Sequence, residues 1–259
     1  MFRHIFDSHT HYTDDRFNDD RHALLAALPR QGIACAVTCA DDLNDARDCL
    51  DLAARYDYIY AACGIHPHKA EEAPPDAILL LKELAQSKKC VAIGEIGLDY
   101  HYDLSPRETQ RTIFERQLEL ANVLRLPVIV HDREAHADTL ALLRKHKPRG
   151  VVHCYSGSLE TAYDLLGLGL YLGFGGAVTF KNAIKPLEIA CAIPLDRLLL
   201  ETDAPYMTPV PCRGKRCDSA HIAYTARKIA QGRGLDAQEL IDRCNNNARK
   251  LFDISDDLC

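Results

Sequence analysis

The sequence contains no run of about 18 apolar residues, the length that a helix needs to span a bilayer. It also contains no Ser/Gly-rich linker, no block of like charges and no low-complexity tract that would mark a domain boundary. The glycine fingerprint of dinucleotide-binding folds does not follow the first apolar run. We therefore expect one domain over residues 1–259, with no membrane association.

A secretory signal peptide is not expected either, because the acidic Asp7 comes before an apolar stretch can form. This predicts a cytoplasmic location. The chain has 11 cysteines, an odd number scattered through a long sequence, which predicts reduced thiols rather than a disulfide framework. The formal net charge of −6 argues against a protein that coats nucleic acid, although a local basic patch could still bind phosphate.

Eight short apolar runs alternate with longer segments of helical spacing, which is the pattern of repeated βα units around a parallel sheet. The predicted strands are 4–9, 33–39, 58–64, 91–95, 127–131, 150–153, 169–173 and 197–203. The predicted helices are 20–31, 43–56, 75–86, 106–122, 134–146, 159–166, 183–192, 220–233 and 236–251. Eight strands favour an α/β fold of the TIM type, a (β/α)8 barrel. A doubly wound open sheet is the alternative, since periodicity does not reveal closure.

Six residues able to ligate metal ions stand at or just after the ends of these runs: His9, His11, Glu95, His131, His153 and Asp203. The carboxyl ends of barrel strands converge on one mouth, where the active sites of this fold lie. Mixed imidazole and carboxylate ligands suit zinc, manganese or iron better than calcium, whereas magnesium prefers more oxygen ligands. Six ligands suffice for two divalent ions, which could jointly activate a water molecule.

Two carboxylates are candidates for catalysis. Asp203 is expected to bind one ion and to act as the general base that accepts a proton from the attacking water. Glu201 lies two residues earlier and, on an extended strand, would share its face. We therefore expect Glu201 to orient the site from behind the ligands.

Several motifs together are specific: DSHTH at 7–11, GIHPH at 64–68, GEIGLDY at 94–100, VH at 130–131, HCYSG at 153–157, ETDAP at 201–205, RGKR at 213–216 and NARKLF at 247–252. With these motifs the chain resembles, almost end to end, the TatD family of metal-dependent deoxyribonucleases in the amidohydrolase superfamily of TIM barrels. The resemblance implies that Glu95 bridges two ions. It further implies the partners of each ion: His9 and His11 for one, His131 and His153 for the other, with Asp203 completing the site.

The resemblance also implies that His66 contacts the substrate phosphate. The loop after the eighth run carries Arg213 and Lys215, which we expect to hold phosphate oxygens at the mouth. Arg133 and Tyr155, each two residues beyond a predicted ligand, are further candidates for binding the substrate. The chain departs from the family at Thr13, where an acidic residue is usual, and at Cys217 and Ser219, where an Asn and a Pro are common. Neither departure changes a predicted ligand.

These observations favour a hydrolase that cleaves phosphodiesters, with DNA as substrate and a 3'-5' exonuclease mode of action. The net acidity favours an enzyme that trims strand ends over one that coats DNA. A metal-dependent amide or ester hydrolase is the alternative enzyme. A non-catalytic metal-binding protein would predict a broken ligand set, whereas this set is intact. Because a closed barrel exposes no sheet edge, we expect a monomer.

Overall fold

The computed structural model describes residues 2–255 and contains one sheet of eight parallel strands, each paired with the next along the chain. The strands are β1 Ile5–Thr10, β2 Ile33–Cys39, β3 Ile59–Cys63, β4 Cys90–Asp99, β5 Val128–Arg133, β6 Gly150–Val152, β7 Tyr171–Phe174 and β8 Leu198–Leu200. Just beyond β8, the amide of Asp203 donates to the carbonyl of His9 at 3.0 Å and the amide of His11 donates to the carbonyl of Ala204 at 2.7 Å. This nearly closed sheet confirms the TIM-type barrel and excludes the doubly wound alternative.

All nine predicted helices are present. They are α1 Arg21–Ala27, α2 Leu43–Arg55, α3 Ala77–Leu84, α4 Arg107–Leu124, α5 His136–His146, α6 Leu159–Gly167, α7 Ile184–Ala192, α8 Ile222–Arg233 and α9 Ala237–Phe252. The first is shorter than predicted because Leu28–Gln31, which contains Pro29, forms a separate 3-10 turn. Within residues 2–255, no helix combines the length and hydrophobicity needed to cross a membrane.

Apolar residues fill the barrel interior and a second layer between the sheet and the helices. Helix α9 closes the barrel at the amino ends of its strands, where Phe252 stacks on Phe6 with ring centroids 5.9 Å apart. The ten cysteines of the described residues form no disulfide, and most are buried. Since α9 covers one end of the interior, the carboxyl ends of the strands are left for polar residues.

Two strand ends differ from prediction in ways that affect the site. Strand β4 continues past Glu95 to Asp99, because its pairing with β5 extends to the partners Asp99 and Arg133. Strand β8 stops at Leu200, and the chain soon leaves extended geometry, since Asp203 has a φ of 58°. Side chains on this segment therefore do not follow strand alternation.

Candidate metal centre

The structure places all six predicted ligands in one cluster at the carboxyl ends of the strands. Their ligand atoms fall into overlapping groups within 4.8 Å of one another. One group contains His9, His11 and Asp203, and a second contains His9, Glu95 and His153. A third group joins His131 to Glu95 and adds His66, which sequence reasoning had assigned to the substrate.

Glu95 lies at the centre of this cluster, with its side chain only 3% exposed. Its Oε2 is 3.2 Å from Nε2 of His9 and 3.4 Å from Nε2 of His11. Its Oε1 is 2.7 Å from Nε2 of His153 and 2.8 Å from Nδ1 of His131. Each carboxylate oxygen thus faces a different pair of imidazoles, which is the arrangement that a carboxylate bridging two ions requires.

The imidazole nitrogens approach one another closely. Nε2 of His9 and Nε2 of His11 are 3.1 Å apart, and Nδ1 of His131 and Nε2 of His153 are 3.3 Å apart. Two neutral rings cannot face each other through their lone pairs without repulsion, whereas a cation between them would satisfy both. The donor set therefore fits divalent ions.

Contacts on the far side of two rings favour the tautomer that a metal needs. Nδ1 of His11 is 3.1 Å from the carbonyl of Cys39, and Nε2 of His131 is 3.0 Å from Oδ2 of Asp99. If these nitrogens carry the protons, the lone pairs of the other two point into the cluster. The rings are thus already oriented as ligands.

Charges within the cluster shift the pKa values of its side chains. Burial alone would lower the pKa of His153, but the Glu95 and Glu201 carboxylates raise it well above the usual value. Burial would likewise raise the pKa of Glu95, but the charges of His153 and His9 hold it well below the usual range. A proton on His153 therefore competes with a cation for this part of the cluster, and a metal ion that binds there must displace it.

Asp203 faces the same cluster from the more open side. Its Oδ1 is 3.5 Å from Nε2 of His11 and 3.8 Å from Nε2 of His9, and its side chain is 18% exposed. Burial would raise the pKa of Asp203, but the hydrogen bond with His11 and the charges of both histidines lower it. The carboxylate is therefore ionised and reachable by solvent, as a general base must be.

Glu201 lies behind a predicted ligand, as expected, but not on a face shared with Asp203; its role in orienting the site stays a prediction. It is fully buried, its Oε1 accepts a hydrogen bond from the amide of Cys154 at 2.5 Å, and the same oxygen is 3.7 Å from Nδ1 of His153. Glu201 thus lies behind His153 and does not share a face with Asp203, because the turn at Asp203 breaks the alternation. A Cβ on Gly173 would lie 2.3 Å from Oε2 of Glu201, so only glycine leaves room for this carboxylate.

Asp99 is a functional candidate that sequence reasoning missed. Its fully buried side chain accepts hydrogen bonds at Oδ2 from His131 and, at 2.9 Å, from Nε2 of His68, while Oδ1 accepts from the amides of His101 and Tyr102. Burial would raise its pKa, but these hydrogen bonds hold it far below the usual range. The signal was available: Glu95, Gly97 and Asp99 alternate along one face of β4 once the strand is extended.

Asp7, the first residue of the DSHTH motif, ties β1 to the segment that carries Asp203. It is fully buried and accepts hydrogen bonds from the Thr202 amide at 3.0 Å, the Thr202 hydroxyl at 2.6 Å and the Ser219 hydroxyl at 2.7 Å. Burial raises the pKa of Asp7 to about 7, although these hydrogen bonds oppose the shift. Ser219, one of the departures from the family pattern, is therefore part of the scaffold beneath the site.

A cavity of about 910 Å³ lies over the cluster, and only some of the residues predicted to bind the substrate line it. His66 and Arg133 line it, and the ring of His66 is 4.6 Å from that of His131. Tyr155 lines a smaller neighbouring cavity, but its hydroxyl donates to the carbonyl of Ser158 at 2.6 Å and is not free for phosphate.

Arg213 and Lys215 do not line either of these cavities. The guanidinium of Arg213 lies 3.8 Å from the ring centroid of Phe180, in a cation–π contact. The loop after β8 reaches the cavity through Tyr206 and Met207 instead. A phosphate-binding role for Arg213 and Lys215 stays a prediction, and the geometry gives it no support.

Comparison with known proteins agrees with this architecture. The family described as TatD related DNase matches residues 6–253. YabD of Bacillus subtilis, described as an uncharacterized metal-dependent hydrolase, is 37% identical over 254 residues, which cover 97% of this chain and all of YabD. The 3'-5' ssDNA/RNA exonuclease TatD of Pantoea ananatis is 34% identical, with 96% of this chain and 99% of that protein covered.

The solved structures include a similar protein. The crystal structure of YJJV, a TatD homologue from Escherichia coli K12, superposes with a TM-score of 0.92 at 32% sequence identity, covering 98% of this chain and 100% of the other. The family match, the curated relatives and the shared barrel all extend over nearly the whole chain. The chain therefore belongs to the TatD-related DNase family of metal-dependent hydrolases.

Proposed function

We propose that this protein is a metal-dependent nuclease that removes nucleotides from the 3' end of single-stranded DNA. The main observation behind the proposal is that each carboxylate oxygen of Glu95 faces a different pair of imidazoles, beside an ionised and solvent-reachable Asp203. Support also comes from the Pantoea ananatis relative, which is named as a 3'-5' ssDNA/RNA exonuclease.

Each protein group has a task in this reaction. Divalent ions bound in the cluster would supply a water of lowered pKa and offset the charge of the phosphate. Asp203 accepts the proton of the attacking water. His66 accepts a hydrogen bond at Nδ1 from the amide of His68, at 3.2 Å, so its Nε2 carries the proton and can donate to a phosphate oxygen. Burial lowers the pKa of His66 well below its usual value, which keeps the ring neutral.

The rim of the large cavity favours a strand end over a long bound strand. Its cationic residues are Lys69 and Arg133. Its carboxylates are more numerous and include Asp14, Asp15, Asp41, Asp42, Asp45 and Glu72. Carboxylates repel the phosphates of an extended polyanion, so binding along this rim is unfavourable. A substrate that enters by its end exposes few phosphates to the rim.

The remaining expectations are part of the same proposal. The four imidazoles and two carboxylates suit two ions of zinc or manganese, with magnesium as a further possibility. A cytoplasmic location is supported by the absence of disulfides among the ten described cysteines. A monomer is supported by the nearly closed sheet, which leaves no long edge for pairing.

A second candidate is a metal-dependent amide or ester hydrolase. It is favoured by the smaller cavity beside His153, whose wall contains Phe174, Val178 and Pro186 and would suit an acyl group. Both candidates use the same activated water, so they differ in substrate alone.

The test starts from chelator-treated protein restored with magnesium, manganese or zinc. We expect cleavage of single-stranded DNA, and we expect Asp203→Asn to lower kcat by about 100- to 10,000-fold with the fold retained, because the base is lost while the shape is kept. Asp196→Asn, on the exposed Asp196, is the matched control. Undiminished turnover by Asp203→Asn would refute the mechanism. Hydrolysis of amide or ester substrates, with no cleavage of DNA, RNA or simple phosphodiesters, would favour the second candidate.

A further inference from the structure

We propose that the smaller cavity beside His153 is a subsite for the base of the strand-terminal nucleotide, and that it recognises bases carrying an amino group. This inference rests on the proposed nuclease function. The cavity has a volume of about 280 Å³ and shares His131, His153 and Asp203 with the larger cavity. A group bound there is therefore directly adjacent to the reacting phosphate.

The size of this cavity limits what it can hold. Pockets that enclose drug-sized ligands range from about 300 to 1,000 Å³, so a volume of about 280 Å³ suits one small ring system and excludes two nucleotides. With one base in the cavity, the bond at the metal cluster is the one that releases that nucleotide. The cavity thus predicts mononucleotide products.

One wall of the cavity is apolar, and its aromatic side chains are held in place. Tyr155 is 4% exposed, its hydroxyl is held by the Ser158 carbonyl, and its ring packs edge-on against Phe174 with centroids 6.3 Å apart. Ala177, Val178, Pro186 and Met207 also belong to this apolar wall. Held aromatic and aliphatic side chains are what nucleobases pack against in single-strand binding sites.

Asp132 distinguishes a base from an acyl group. It lines the cavity, and its side chain is only 4% exposed. Its Oδ2 is 2.8 Å from Nδ1 of His136, whereas its buried Oδ1 has no hydrogen-bond partner within the described part of the chain. A buried acceptor without a donor is unfavourable, and an amino group of a base would supply the donor. An acyl chain has no such group.

Arg133 lies where the connecting phosphate would be. It lines both cavities, and its guanidinium is 4.6 Å from the ring centroid of Tyr102. A guanidinium fork binds phosphate oxygens in pairs. A nucleotide with its base against Tyr155 could therefore reach Arg133 and the metal cluster at the same time.

The first experiment uses the metal-loaded wild-type protein and oligonucleotides that differ only in the 3'-terminal nucleotide. A terminal abasic nucleotide should lower kcat/KM by about 10- to 100-fold relative to terminal adenine, chiefly through KM, because base packing is lost. The released product should be a mononucleotide. Equal kcat/KM for abasic and adenine ends, or release of dinucleotides, would overturn the subsite.

The second experiment tests Asp132 by comparing terminal adenine with unsubstituted purine, which lacks only the amino group. We expect wild type to favour adenine about 5- to 20-fold, and Asp132→Ala to lose this preference. Asp51→Ala, on an exposed face of α2, is the matched control and should keep it. Loss of the preference in both variants, or in neither, would overturn the role of Asp132.

The third experiment fills the cavity. Ala177→Phe should remove the difference between abasic and adenine ends, whereas Ala192→Phe, at the exposed end of α7, should retain it. Thermal unfolding checks that both variants fold, and the wild-type comparison stands without them. If wild type cleaves no phosphodiester, the proposed function fails and the subsite with it. If it cleaves abasic and adenine ends equally, the subsite alone fails.

Discussion

Replacing Asp99 by asparagine should weaken metal binding through its effect on His131. Asp99 is fully buried, and its Oδ2 accepts hydrogen bonds from Nε2 of His131 at 3.0 Å and from Nε2 of His68 at 2.9 Å. Its Oδ1 accepts from the amides of His101 and Tyr102 at 3.0 and 2.8 Å. All four partners are donors, which a carboxylate satisfies and an amide cannot.

Asparagine must therefore turn its NH₂ group towards two of these donors. If the NH₂ group faces the imidazoles, His131 is relieved only by moving its proton to Nδ1, the nitrogen that is 2.8 Å from Glu95. A proton on Nδ1 blocks that nitrogen as a ligand. Loss of a carboxylate that supports a metal-binding histidine typically weakens affinity about 10- to 100-fold, equivalent to about 1.4 to 2.8 kcal/mol.

Calorimetric titration of chelator-treated protein with zinc or manganese measures this effect. Asp138→Asn is the matched control, because Asp138 also accepts hydrogen bonds, from Tyr100 and Arg111, but at the surface. We expect weaker binding for Asp99→Asn and unchanged binding for the control. Wild-type affinity in a folded Asp99→Asn protein would show that the orientation of His131 does not depend on Asp99.

Three further predictions concern pH and stability. Burial opposes protonation of His11 and His153, but nearby carboxylates raise both pKa values well above the usual histidine value, so metal affinity should increase as the pH rises above about 6.5; a pH-independent affinity in calorimetry would contradict this. Gly173→Ala should destabilise the protein by about 1 to 3 kcal/mol in denaturant unfolding, since the new Cβ collides with Glu201; unchanged stability would disprove the close contact. Asp236→Ala should cost about 0.5 to 2 kcal/mol, because the side chain caps α9 through the amides of residues 238 and 239, and metal affinity should not change.

The barrel was predictable because its strands are buried on both faces and read as continuous apolar runs between helical segments. The predicted ligands were visible for a related reason: a histidine or carboxylate directly after such a run interrupts the pattern, as at His131 and His153. Convergence then follows from the parallel topology. A barrel places its first and last strands side by side, so the proximity of β1 and β8 followed from the predicted fold without any local sequence signal.

The errors arose where the backbone stops following the strand rule. Ending β4 at Glu95 hid Asp99, and assuming an extended chain through Asp203 wrongly gave Glu201 and Asp203 the same face. The direction of a loop has no periodic signal at all. The phosphate-binding role of Arg213 stays a prediction for this reason: its guanidinium is stacked on Phe180, an interaction between residues far apart in sequence that no local pattern announces.

The backbone hydrogen bonds that join His9 to Asp203 and His11 to Ala204 make the seam of the barrel coincide with the metal cluster. During synthesis, His9 and His11 leave the ribosome long before their partner carboxylate exists. A nascent chain therefore cannot present the complete ligand set until the segment after β8 has docked. Tight metal binding thus indicates that the whole barrel has been assembled. A fragment lacking either end should bind metal ions only as loosely as free side chains do.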